Sequence, residues 1–207
     1  WRGNGWRIAP TGAPWTWIAQ EQSHPNGTNS APGEEHWAIR RWVCDHDGEF
    51  SIIWHLRAQN LNGAGTTGRL FINGEEVDSA SVAGNDDVGV TRMVCSELGE
   101  GDIVDLALTP EGPGGNMLDG ADGSFTRLTI DNVIPDQDGD GVNDCEDNCP
   151  AVANEGQEDD DLDGMGDACQ PIADSSTDWE FGGLQGANNW FYGYYNRTLD
   201  EDPGYEA

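Results

Sequence analysis

The chain has 207 residues, of which 39 are Asp or Glu against 9 Arg and no Lys, a formal net charge of -30. Nothing in it could neutralise a phosphate backbone or an anionic bilayer surface, which excludes nucleic-acid partners, and no apolar run approaches the roughly 20 residues of a membrane span, which argues against membrane insertion. Nine Trp and four Tyr are too much aromatic surface for a solvated acidic tail, so the charge reads as cation binding rather than disorder.

From the N-terminus, Trp1, Trp6, Trp15 and Trp17 crowd a loop-like stretch. They are expected to fill the core or the joint with the aromatic C-terminal stretch, with stacking on sugars as the alternative. Residues 37–44 (WAIRRWVC) read as a strand. Next, Phe50, Ile52, Trp54 and Leu56 alternate with Ser51, Ile53, His55 and Arg57, a period of two with one apolar face that only Ile53 blurs. Residues 69–72 (RLFI) run into Asn73-Gly74, the signal of a two-residue hairpin turn. Residues 90–95, 103–108 and 125–130 continue the series, joined by Gly-, Asn-, Asp- and Pro-rich connections. No amphipathic helix is evident. The fold class is therefore all-β: residues 1–135 form an antiparallel, jelly-roll-like β-sandwich.

At residue 136 the composition changes abruptly to Asp and Gly. The run from Asp136 to Asp147 places Asp136, Asp138, Asp140, Asp144 and Asp147 at loop positions 1, 3, 5, 9 and 12, with Gly141 at position 6. Calcium takes six to eight oxygens at about 2.3–2.6 Å, and acids on alternate positions can fold inward around one ion. Gly141 permits the sharp turn and the Val142 carbonyl supplies position 7. A second copy has Asp159, Asp161, Asp163, Gly164, the Met165 carbonyl and Asp167, but its position 12 is Gln170, so that site is completed from elsewhere. No helices flank the loops, which sets them apart from EF-hands.

These 34 residues, 136–169, resemble a thrombospondin type 3 repeat in DxDxDGxxDxxDNCP, Asn154, Gln157 and DxDxDGxGDxC. The resemblance implies an irregular, calcium-wrapped linker with several ions and almost no core, with Asn148 and Asn154 as further ligands. It also favours a disulfide between Cys149 and Cys169. Cys44 and Cys95 each end a predicted strand and are expected to bridge. Cys145 is left over, free or paired with another copy, and alternative pairings of Cys145 with Cys149 or Cys169 stay open. Five cysteines beside calcium-type loops point to an extracellular or cell-surface setting.

Residues 170–177 read as a short linker. Residues 178–207 turn aromatic again, with Trp179, Phe181, Trp190 and five more rings, too many for so short a segment to bury alone. The sandwich stretches at 24–27, 37–42, 101–108 and 120–130 resemble a jelly-roll domain of secreted bacterial multidomain proteins. That domain usually begins with a segment like residues 182–198, so the order here is permuted. Residues 178–207 are accordingly expected to complete the sandwich of the next repeat or subunit, with folding back onto their own sandwich as the alternative. The start at Trp1 reads as a piece of something longer.

Asp119 and Asp122 are candidates for either a further calcium site or a turn. Asn26-Gly27-Thr28 and Asn196-Arg197-Thr198 match the glycosylation acceptor pattern. The four His lack a nucleophile partner and no nucleophile elbow is present, so the chain is expected not to be an enzyme. The expected function is structural: a calcium-stabilised extracellular subunit or repeat of a head-to-tail fibre or stalk, whose partners are copies of itself. The alternative is a carbohydrate-binding or adhesion module of a larger secreted protein.

Overall fold

The computed structural model describes residues 5–9, 11–30, 33–160 and 162–171. Ten strands follow in chain order: β1 (Gly5–Arg7), β2 (Trp17–Ala19), β3 (Gln22–His24), β4 (Ala38–Val43), β5 (Gly48–Ala58), β6 (Thr66–Ile72), β7 (Glu75–Val82), β8 (Val90–Leu98), β9 (Ile103–Thr109) and β10 (Ser124–Asp131). No helix occurs among the described residues. Two antiparallel sheets form, one ordered β1-β2-β3-β10-β5-β8 and the other β4-β9-β6-β7. The sandwich expected from the strand pattern is the fold observed.

The alternation of β5 explains the packing. Phe50, Ile52, Trp54 and Leu56 point between the sheets and are at most 3% exposed. Leu70 of β6 and Val104, Leu106 and Leu108 of β9 meet them from the opposite sheet. Burial of each of these side chains contributes on the order of 1.5–3 kcal/mol. Trp54 fits because β6 carries Gly68 across from it: a Cβ there would lie 2.6 Å from the indole. The indole N–H donates to Asp78 at 3.0 Å, which satisfies the one polar atom of the ring.

Asn73-Gly74 forms the β6–β7 turn with φ of 52° and 89°, both left-handed as such a turn requires. β1, β2 and β3 are strands that the periodicity did not signal. Each is three residues long, too short to display a period. They extend the larger sheet beyond the smaller one. β4, an edge of the smaller sheet, packs across from β2, while β7 packs across from β5 and β8. β1 is left overhanging.

After β10 the described chain carries only turns and bends. It first crosses the outer face of the larger sheet, where Ser51 donates to the Val133 carbonyl at 3.2 Å.

Candidate functional site

The two acidic loops fold to one hydrogen-bond pattern. In the first, Asp136 accepts from Gly139 N–H and Gly141 N–H at 2.8 and 3.2 Å, Asp140 from Val142 N–H at 2.8 Å, and Asp144 from Gln137 N–H at 2.7 Å. In the second, Asp159 accepts from Gly164 N–H at 3.0 Å, Asp163 from Met165 N–H at 2.8 Å, and Asp167 from Asp160 N–H at 3.0 Å. Position 6 is left-handed in both, at Gly141 and Gly164. Each bond occupies one carboxylate lone pair and leaves the others for a cation.

In the first loop the carboxylates of Asp136, Asp138 and Asp140 converge, with one oxygen from each inside a 4.8 Å circle. Among the described residues no other group of three or more acidic, His or Cys ligands comes so close. Asp144, Asp147, Asp159, Asp163 and Asp167 stand outside it, and Asp161 lies outside the described residues. Three carboxylate oxygens of the segment, Asp138 Oδ2, Asp147 Oδ2 and Asp159 Oδ1, are shielded from water with no hydrogen-bond partner. Burial, and then the charges of Asp140, Asp147 and Asp136, push the Asp138 carboxyl above its ordinary value. An anion in that position wants a cation, and hard oxygen donors suit calcium.

The loops are knotted together by amides. Asp140 accepts from Asn154 N–H at 2.7 Å, and Asp147 from Cys149 N–H and the Gln157 side chain at 2.7 and 2.8 Å. The Asn148 and Asn154 amides touch at 2.7 Å. Gln157, which sequence reasoning used only as a resemblance marker, holds Asn148 and Asp147 at once, since its Oε1 accepts from Asn148 N–H at 2.7 Å.

The Cys149–Cys169 disulfide is present. The expected Cys44–Cys95 bridge is not: Cys95 pairs with Cys145, and Cys44 is a buried free thiol. Strand alternation explains the correction. Val94 of β8 packs on the core, so Cys95 points to the outer face, whereas Cys44 turns inward and is 2% exposed. The chain crossing the outer face brings Cys145 to Cys95, so the leftover cysteine bolts the first acidic loop to the sandwich.

Asp119 and Asp122 both accept hydrogen bonds from loop groups. Asp119 accepts from Gly27 N–H at 3.0 Å and the Ser30 hydroxyl at 2.8 Å, and Asp122 from Ala64 N–H at 2.8 Å and Gly65 N–H at 3.3 Å. Asp122 Oδ2 has no partner, and burial pushes its carboxyl up to about 6. Asn26 is 0% exposed and its Nδ2 donates to the Gly27 and Glu34 carbonyls, so the nitrogen a glycan would need is already committed. Trp1, Asn196, residues 172–177 of the linker and the aromatic residues 178–207 lie outside the described residues.

The overhang of the larger sheet makes a cleft of about 720 Å³. Ile18 faces the core, and Trp6, its cross-strand partner, shares that inner face. Trp6 is nevertheless 66% exposed and Trp15 is 46% exposed, so neither fills the core, while the expected joint with residues 178–207 lies outside the described residues. Gln20, Glu21, Gln22 and Arg40 of β4 also line the cleft. Arg40 donates to Thr126 Oγ1 at 3.0 Å, the Ala19 carbonyl at 2.9 Å and Ser23 Oγ at 3.3 Å, all neutral acceptors. Burial holds its guanidinium below the usual value.

No family model and no curated protein matches the chain. Among solved structures it is similar to a family 35 carbohydrate-binding module from Clostridium thermocellum, with 14% identity over 62% of this chain and 87% of that one and a TM-score of 0.32. It is also similar to a family 51 carbohydrate-binding module of a Clostridium perfringens family 95 protein, solved with methyl-galactose, with 14% identity over 57% and 77% of the two chains and a TM-score of 0.31. A third is a ruminal family 26 endo-β-1,4-mannanase, with 16% identity over 74% of this chain and 28% of that one and a TM-score of 0.35. At such identities the likeness does not extend to particular binding residues.

Proposed function

We propose that the chain is a non-catalytic extracellular module that binds carbohydrate in the Trp6 cleft and whose acidic segment is ordered by calcium. The observation that carries the first part is Trp6, an indole on the inner face of a sandwich that is nonetheless 66% exposed and lines a cleft together with polar side chains. A sugar ring offers a C–H face to an aromatic and hydroxyls to side-chain amides, and this cleft presents both kinds of group. Among the described residues Glu21 is the one carboxylate on the cleft lining, whereas glycoside hydrolysis ordinarily uses two. The two disulfides suit an oxidising compartment.

Calcium is structural in this reading. Asp136, Asp138 and Asp140 would hold one ion, with the shielded oxygens of Asp147 and Asp159 available to others. Extracellular calcium modules bind at about 10⁻⁴–10⁻³ M, which suits a permanent ion. The Cys95–Cys145 bridge would then pass the rigidity of the loaded loop to the sandwich.

One observation favours a second reading, the calcium-stabilised subunit of a head-to-tail fibre. β4 is an edge strand beside the overhang, and an extended segment of another copy could pair along it and cover Trp6. Affinity electrophoresis through gels holding soluble polysaccharides separates the two. Retardation that Trp6→Ala abolishes supports the carbohydrate reading. Unretarded protein that self-associates with rising concentration supports the fibre. Native mass spectrometry with and without a chelator tests the ion, and a chain that takes up no calcium sinks that part.

A further inference from the structure

The first acidic loop meets the sandwich at both of its ends. Strand register puts Asp131 of β10, Ser51 of β5 and Cys95 of β8 in one row across neighbouring strands. Phe50 and Ile52 face the core, so Ser51 points to the outer face, yet it is only 1% exposed. The chain leaving β10 passes over it: the Ser51 hydroxyl donates to the Val133 carbonyl at 3.2 Å, and Val133 N–H donates to the Asp131 carboxylate at 3.1 Å. That is the entering leg of the loop. The leaving leg is Cys145, bonded to Cys95 one strand further on, and neighbouring strands lie about 4.8 Å apart. Between the legs the neck is closed by Asp144 N–H, which donates to the Pro135 carbonyl at 2.7 Å. Asp136, Asp138, Asp140 and Val142 all lie within that neck. The second loop has the same neck, with Asp167 N–H on the Glu158 carbonyl at 2.8 Å. Its bracket is Cys149–Cys169, both ends of which belong to the acidic segment itself.

A loop tethered at one end loses more backbone freedom on gathering its carboxylates than one whose two ends are already held at a fixed separation. We propose that Ser51 and Cys95 are positioning residues for the first acidic loop: the larger sheet holds the two legs on adjacent strands and thereby raises the loop's affinity for calcium, while the second loop depends on its own disulfide. This rests on the calcium reading above and adds to it the element that sets the affinity. Coupling of this kind is reciprocal. Calcium held by Asp136, Asp138 and Asp140 therefore makes the Cys95–Cys145 bridge harder to reduce, by the same factor that the bridge adds to calcium binding.

The test uses the full chain, stripped of metal and titrated with calcium. The amide resonances of Gly139, Gly141 and Val142 report the first loop, and those of Gly164 and Met165 the second. Cys95→Ser combined with Cys145→Ser should raise the calcium midpoint of the first loop by about tenfold or more and move that of the second by less than about threefold. Protection of the β5 and β9 amides checks that the variant is folded. Ser51→Ala, which keeps both disulfides, should raise the first midpoint by about threefold, and it decides the matter if the double variant does not fold. In the wild type, dithiothreitol delivers two electrons and two protons to the Cys95–Cys145 bridge and closes to its own cyclic disulfide. Thiol labelling of Cys95 and Cys145 in such a buffer should place the potential about 30 mV lower in saturating calcium than in chelator, which is the same tenfold for a two-electron couple. A first-loop midpoint that the folded variants leave unmoved, two midpoints that rise together, or a potential indifferent to calcium overturns the proposal and leaves the calcium reading standing. A wild type whose loop amides do not respond to calcium overturns both.

Discussion

Asp122→Asn should stabilise the protein near neutral pH and do nothing in acid. The carboxyl is 2% exposed, its Oδ2 is unbonded, and burial raises its pKa from 3.8 to about 6, with Asp119 adding to the rise and the N–H groups of Ala64 and Gly65 opposing it. A raised folded-state value means the native chain holds a proton that the unfolded chain has already lost. The favourable contribution is therefore complete below about pH 4 and is lost as pH climbs to about 6. Above that the buried charge is a constant burden. The move from 3.8 to about 6 is worth about 3 kcal/mol, and solvent around this partly enclosed loop brings the figure to about 2 kcal/mol. Asn mimics the protonated acid and keeps the acceptor for both backbone N–H groups. Thermal melts in chelator should place the variant about 5 °C above wild type at about pH 7.5 and level with it at about pH 3. A variant that is destabilised equally at both pH values would refute the reasoning, because the carboxylate would then be serving the fold by something other than its charge.

Gly166→Ala should damage the second acidic loop. Gly166 is buried, and a Cβ would lie 2.3 Å from Asn148 Oδ1 and 2.7 Å from Cys149 Sγ, an overpacking cost of about 1–3 kcal/mol that amide exchange across residues 148–169 would register. Replacing Cys95 and Cys145 by Ser opens a bridge across a sequence separation of 50, which chain entropy values at about 4 kcal/mol, and denaturant titration should show a loss of that order. Trp54→Ala empties the centre of the sandwich and leaves Asp78 without its indole donor, so a loss of about 3–5 kcal/mol is expected from the same titration. Chelation should speed exchange of the Gly139, Gly141 and Val142 amides while β5 and β9 stay protected, because those three amides are held by loop carboxylates and not by a core.

The sandwich was legible because its signals are local. Alternation along β5, the Asn73-Gly74 turn and the twice-repeated spacing of acids each state a backbone geometry within a dozen residues. The repeated acids likewise announce loops that turn their carboxylates inward, and the structure brings Asp136, Asp138 and Asp140 together as that spacing implies. What the sequence left open depended on which face of a strand meets which distant segment. Cys44 and Cys95 both sit on strands, yet alternation turns one to the core and the other to the outer face, where Cys145 arrives. Asn26 carries an acceptor motif, and only the packing of the Gly27 and Glu34 loop around it takes its nitrogen. Arg40 reads as one polar residue in WAIRRW and Trp6 as one ring in a crowded terminus. Their meeting in a cleft follows from a six-stranded sheet outreaching a four-stranded one, and that difference in width comes from strands of three residues, too short to leave a period in the sequence.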